Sequence, residues 1–244
     1  MNDNEIFSEQ TAVPQRDFSS ILSHAFNMYK GIFVYGILAY LVYLVISWTL
    51  QMLSGFDSNA FNQEIQQMSN GGTANITDVP GLFFYTSSSG ILSLLISPIY
   101  VGLIYVTNKY NTNNPIQFSD LFIGYRQNLL NILLYSLISS ILLGIAFTLC
   151  FLPVLFVAPF FLLGYSILLF ENASAFDALK KSFSLGQENY GSFLGISLLG
   201  GIISLSGLLA CCIGVIATAF FMLPLMYSTY IAYQGKPRPL IDKN

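Results

Sequence analysis

Polar residues in this chain are confined to short stretches, and between them lie four largely apolar segments: Gly31–Leu53, Gly81–Thr107, Leu129–Phe170 and Phe193–Tyr233. A helix crossing a hydrocarbon core of about 30 Å needs roughly 20 apolar residues. Gly31–Leu53 meets that requirement once. Gly81–Thr107 is interrupted by Ser87, Ser88, Ser89 and Gly90, which predicts a span from Ile91 to Thr107 plus a few upstream residues, with Leu82–Tyr85 at the interface. Leu129–Phe170 and Phe193–Tyr233 carry no charged side chain, and at about twice the length of one span each predicts a hairpin. The turns are expected near Cys150–Pro153 and Cys211–Gly214, where proline breaks the hydrogen-bond ladder and glycine tolerates a turn. The fold class that follows is all-α: a polytopic membrane protein with six transmembrane helices in one domain, 17–235, between tails 1–16 and 236–244.

Three approaches to these segments are amphipathic. Phe18, Ile21, Leu22, Ala25, Phe26 and Tyr29 recur at helical spacing, as do Phe118, Leu121, Phe122, Tyr125 and Leu129, and then Phe176, Leu179 and Phe183. Phe18, Leu22, Phe26, Phe118, Phe122, Phe176, Leu179 and Phe183 are the expected interfacial anchors. Ser174 with Asp177 reads as a capping box, and Pro14 and Pro115 stand just before the first two approaches. Together these predict three parallel hairpin repeats, each an interfacial amphipathic helix, an outward span and a return span. Any linker that precedes a span also tends to be amphipathic, which is the plainer account.

Charge orients this arrangement. All nine Lys and Arg residues fall on one side of the six-span reading: Arg16 and Lys30, Lys109 and Arg126, Lys180 and Lys181, then Lys236, Arg238 and Lys243. The connections on the other side, including the loop 54–80, carry only Asp57, Glu64 and Asp78. Basic residues stay on the cytoplasmic side, so both termini are expected in the cytoplasm. Trp48 then belongs to the outer aromatic belt, and Tyr29, Tyr105, Tyr110, Tyr125, Tyr190, Tyr230 and Tyr233 to the inner one. The loop 54–80, rich in Asn, Gln and Gly, with one short helix around Phe61–Met68, reads as disordered on composition or else as a docking segment for a periplasmic protein.

With 54% hydrophobic and only 9% charged residues, the composition matches a chain whose solvent is the bilayer, and a net charge of -3 argues against a nucleic-acid partner. Asp3–Arg16 lacks the apolar core of a removable signal peptide, so the first span is expected to act as an uncleaved anchor. Cys150, Cys211 and Cys212 match no metal or redox spacing; they fall at the two hairpin tips, either as small apolar residues or as a disulfide from Cys150 to one of the pair.

The chemical inventory is sparse. The six predicted spans hold no charged residue, where one would ordinarily mark a site. His24 is read as a surface residue, and the common hydrolase, phosphate-loop, dinucleotide and zinc motifs are absent, so neither a cofactor nor a metal is expected. Pro98, Pro153, Pro159 and Pro224 interrupt apolar segments; if they kink helices around a cavity, Ser97, Tyr100, Tyr165 and Tyr227 are the hydroxyls that line it. Small residues at helical spacing, Ser136, Ser140 and Gly144 in the third span and Ser197, Gly200, Gly201 and Ser204 in the fifth, suit either packing within the bundle or a face for another membrane protein or a second copy of the chain.

The run Phe18–Tyr29, and above all Ala175–Gly195 (AFDALKKSFSLGQENYGSFLG), resembles a widespread bacterial six-span family of uncharacterised membrane proteins. That family is related to the membrane domain of glycerophosphoryl diester phosphodiesterases. The resemblance covers most of Phe18–Tyr233 and implies the six-span architecture and a bacterial inner membrane. The phosphodiesterase catalytic domain has no counterpart here, so no hydrolase activity is implied. The expectation is a non-catalytic inner-membrane protein that binds a partner as a complex subunit or scaffold, or organises membrane lipids. The alternative is a passive transporter, channel or lipid-moving protein for uncharged or amphiphilic cargo.

Overall fold

The computed structural model describes residues 12–149 and 151–235, without the side chains of 151–152 and 209–213. Most of tail 1–16, all of 236–244 and the proposed pairing of Cys150 with Cys211 or Cys212 lie outside the described residues. Eleven α-helices and no strand occur among them. They are α1 Phe18–Ser54, α2 Ser58–Ser69, α3 Leu82–Asn111, α4 Ile123–Arg126, α5 Leu129–Thr148 and α6 Phe151–Val157, followed by α7 Gly164–Phe170, α8 Ala175–Glu188, α9 Tyr190–Ser206, α10 Cys211–Thr218 and α11 Met222–Gln234. Five segments are long and apolar enough to cross a membrane, and the bent pair α8 and α9 makes a sixth when counted as one span. The chain is therefore an all-helical, multi-span membrane protein.

The three approaches differ from one another. The first is not a separate helix: α1 runs unbroken for 37 residues, about 55 Å at roughly 1.5 Å per residue, well beyond a core of about 30 Å. Phe18, Leu22 and Phe26 lie on its first turns, and Gly31 seats the ring of Tyr110 without ending the helix. The second approach is a 3-10 turn, Phe118–Phe122, joined to the single turn of α4. Only the third is the independent amphipathic helix that the spacing predicts. Ser174 Oγ accepts from the Asp177 backbone N–H, and α8 meets α9 at 106° across Asn189. The returning limbs do share one device. α3, α7 and α11 are each followed within two residues by a left-handed residue, Asn113, Asn172 and Gly235, and Asn and Gly are the types that adopt it most cheaply.

The second span is longer than the serine run suggests. α3 begins at Leu82 and passes through Ser87–Gly90 because the hydroxyls bond back to their own helix. Thr86 donates to the Leu82 carbonyl at 2.8 Å, Ser89 to Thr86 at 2.9 Å and Ser93 to Gly90 at 2.7 Å, and Ser88 donates to Phe84. Both hairpins turn where expected or close to it. α5 ends at Thr148 and α6 begins at Phe151, and Thr218 Oγ1 donates to the Ser204 carbonyl at 2.8 Å, which leaves the second tip between Gly207 and Gly214. Of the four prolines, only Pro98 sits mid-helix. Pro153 and Pro224 occupy the first turns of α6 and α11, and Pro159 the 3-10 turn between α6 and α7, where a missing N–H costs little.

Two compact units are distinguished, 41–96 and the remainder. Within 41–96 the short helix expected around Phe61–Met68 is present as α2, and the rest of the loop is closed at its base where composition reads as disordered. Asp57 caps α2 by accepting from Asn59 and Ala60 N–H at 2.9 and 3.0 Å, and its own N–H donates to the Pro80 carbonyl at 3.1 Å. Glu64 holds the Asn75 N–H at 2.8 Å, and the rings of Phe56 and Tyr85 stack at 4.9 Å. In the larger unit, α3 and the 118–126 segment meet backbone to backbone through glycine: a Cβ on Gly102 would stand 2.0 Å from the Leu121 carbonyl oxygen, and one on Gly124 2.4 Å from that of Pro98.

The obstacle at Gly102 is backbone and cannot rotate away, so Gly102→Ala is expected to destabilise the protein by about 3 kcal/mol or prevent folding. Gly144→Ala, where a Cβ meets nothing within 4 Å, is expected to be near neutral. Thermal unfolding of both purified variants in the same detergent checks the contrast. Asp57→Ala is expected to cost about 1 kcal/mol locally, read as faster proteolytic cleavage between Ser58 and Pro80.

Candidate functional site

The described residues concentrate polar chemistry where the start of α1 packs antiparallel against α11 and reaches the end of α3. Arg16 donates to the Ala232 and Tyr233 carbonyls, each at 3.2 Å, and its guanidinium lies 5.5 Å from the Tyr233 ring centroid. These are the last turns of α11, whose carbonyls have no helical partner. One helical turn deeper, His24 is buried, contrary to the surface position read for it. Its Nδ1 lies 2.8 Å from Ser228 Oγ and its Nε2 3.4 Å from Asn111 Oδ1. Asn111 Nδ2 donates to the Ala12 carbonyl at 3.1 Å and to the Tyr227 hydroxyl at 3.0 Å, and Tyr227 donates to Asn108 Oδ1 at 3.0 Å.

Both Asn111 amide protons are spent on Ala12 and Tyr227, which leaves its Oδ1 as the acceptor that faces His24 Nε2. Ser228 donates its one hydroxyl proton to the Pro224 carbonyl at 2.8 Å, and the same oxygen lies 2.8 Å from His24 Nδ1. From Asn111 the donors run through Tyr227 to Asn108, and successive links of such a chain polarise one another. Histidine beside serine also occurs in nucleophilic catalysis. Here Ser228 is wholly buried and both ring nitrogens lie against side chains of other helices, so the pair joins α1 to α11.

Two further knots secure the same end. Asp120 closes its own 3-10 turn, accepting from the Gln117 N–H at 2.7 Å, while Lys109 from the last turn of α3 donates to both its oxygens at 3.0 and 2.9 Å. Glu171 accepts from Lys181 at 2.8 Å and from the Tyr230 hydroxyl at 3.0 Å, which ties the end of α7 to α8 and α11. Asn128 covers the end of α7 by donating to the Leu168 and Ala173 carbonyls at 3.1 and 2.8 Å, and Asn131 accepts the Ala175 N–H at 3.2 Å.

No family model, curated protein or solved structure matches this chain.

The residues singled out in the sequence are distributed as follows. Tyr100 and Tyr165 meet edge to face at 6.1 Å, and Tyr165 continues to Tyr135 at 5.2 Å in a packed aromatic row. Ser97 is fully buried, and Tyr227 belongs to the His24 chain, so the four hydroxyls do not converge on one space. Among the small residues Ser136, Ser197 and Gly200 are buried, and Gly200 seats Leu225 and Met222. Ser140 and Gly144 are exposed, a Cβ on Gly144 or Gly201 would meet nothing within 4 Å, and the buried Ser204 hydroxyl has no partner. Phe26, Phe118, Phe176 and Phe183 are exposed, while Phe18, Leu22, Phe122 and Leu179 are half-buried. Phe18 borders an open groove with Gly191, Ser192, Gly195, Leu198 and Leu199. No group of three His, Cys, Asp or Glu among the described residues is placed to hold a metal ion.

Asn108, Asn111 and Ser228 were not picked out from the sequence. The available signal was the pair Asn108 and Asn111, one turn apart at the end of an apolar helix, matched by Tyr227 and Ser228 in another.

Tyr227→Phe deletes both links that its hydroxyl makes, and His24→Ala leaves Ser228 and Asn111 without their partner. Each is expected to lower stability by about 0.6–2 kcal/mol, the range for hydrogen bonds between membrane helices. The double variant is expected to lose less than the sum of the two, because both break one chain. Reversible unfolding of the single and double variants in mixed micelles gives the coupling energy.

Proposed function

We propose that this chain is a non-catalytic membrane protein that works by contact, as a subunit or scaffold for another membrane protein or as an organiser of lipid. The observation that carries this reading is where the polar chemistry is spent. His24, Asn108, Asn111, Tyr227 and Ser228 satisfy one another, and Lys109 with Asp120 and Lys181 with Glu171 pair internally. Many of the side chains left facing outward are apolar or small, including Ser140, Gly144, Phe176 and Phe183. Such faces suit close approach of a second helix or of lipid.

The same reading places both termini in the cytoplasm of a bacterium, with the chain in its inner membrane. Support comes from the one-sided Lys and Arg residues and from the resemblance of Ala175–Gly195 to the six-span family. A second reading, passive movement of uncharged or amphiphilic cargo, draws on the open groove beside Phe18.

Native mass spectrometry of protein released gently from its own membranes separates the two. A stoichiometric partner, a second copy or a defined set of bound lipids is expected. A particle that carries none of these, yet moves lipid or small solutes above an empty-vesicle control after reconstitution, overturns the contact reading in favour of transport.

A further inference from the structure

Six basic residues lie among the described residues, and they divide evenly. Arg16, Lys109 and Lys181 are engaged within the fold, by carbonyls or by a carboxylate. Lys30, Arg126 and Lys180 are exposed, and no side chain or carbonyl of the described residues engages them. Each of these three stands four residues after a phenylalanine: Phe26 before Lys30, Phe122 before Arg126, Phe176 before Lys180. Within α1 and α8 that spacing puts ring and cation on one face, one turn apart, whereas Phe122 ends the 3-10 turn and Arg126 ends the single turn of α4 that follows it. Phe26 and Phe176 are exposed, and Phe122 is half-buried between Phe118 and Tyr125, themselves exposed.

An unpaired cation beside an outward-facing ring is costly to leave at random on a membrane protein and well matched to one environment. The cation suits phosphate oxygens, and the ring suits the boundary between headgroups and acyl chains. We propose that Phe26–Lys30, Phe122–Arg126 and Phe176–Lys180 are three sites for the headgroups of anionic phospholipids. They draw such lipids to the basic end of the bundle, one site in each approach. This rests on the contact reading above and gives its lipid arm a chemical class. α8 supplies the clearest of the three: its inward face is the small residues Ala175, Ala178, Ser182 and Gly186, which lets the helix lie close while Phe176 and Lys180 point away.

The full-length protein is reconstituted in phosphatidylcholine with spin-labelled phosphatidylglycerol or spin-labelled phosphatidylcholine, and the relative association of the two labels is measured. The wild type is expected to prefer phosphatidylglycerol. A basic residue near an anionic surface contributes about 1 kcal/mol, so K30Q/R126Q/K180Q is expected to weaken the preference at each site by up to about fivefold. High salt is expected to do the same to the wild type. K181Q, whose cation is already held by Glu171, is expected to leave the preference nearly intact, and Phe176→Ser to reduce it with all charges in place. Unfolding midpoints of the variants separate lost folding from lost binding. An unchanged preference in a folded triple variant overturns the proposal and leaves the contact reading above standing.

Discussion

The buried hydrogen-bond network of Ser228, His24, Asn111, Tyr227 and Asn108 is the constraint on which this end of the bundle depends. It joins α1, α3 and α11 at residues 87 and 204 positions apart in sequence. Apolar packing alone does not define how far one membrane helix slides along another, because lipid tails are as apolar as leucine. Such a network does, since a shift of one residue would leave several donors and acceptors unmatched. Arg16 on the last carbonyls of α11 and Glu171 beneath Tyr230 fix the same register from either side.

Sequence pattern and structure agree where the deciding property is one-dimensional. Uninterrupted apolar length identified the long helices and both hairpins, and Ser174 with Asp177 marked the start of α8, because a cap is a local interaction. The second span was read short because serine was taken as polar surface, whereas in a helix its hydroxyl bonds the preceding turn. The loop 54–80 was read as disordered from composition, yet two acids, Asp57 and Glu64, organise it by accepting backbone N–H groups. Composition does not register the position of a cap.

His24 illustrates the opposite limit. On its own helix it neighbours Ser23 and Asn27, which makes it look solvated. Its partners come from two other helices, and nothing local to residue 24 specifies them. The candidate hydroxyls show the same limit. Ser97, Tyr100, Tyr165 and Tyr227 are alike as sequence features, being polar residues near prolines, but three of those prolines mark helix starts or breaks and do not bend a helix around a space. Of the phenylalanines read as anchors, Phe26, Phe118, Phe176 and Phe183 face outward, while Phe18 and Phe122 are half-buried.

The unbroken length of α1 bears on the bilayer itself. Its 37 residues rise about 55 Å against a core of about 30 Å, so the helix tilts or carries its ends beyond the hydrocarbon, and what its first turns hold moves with the part that crosses.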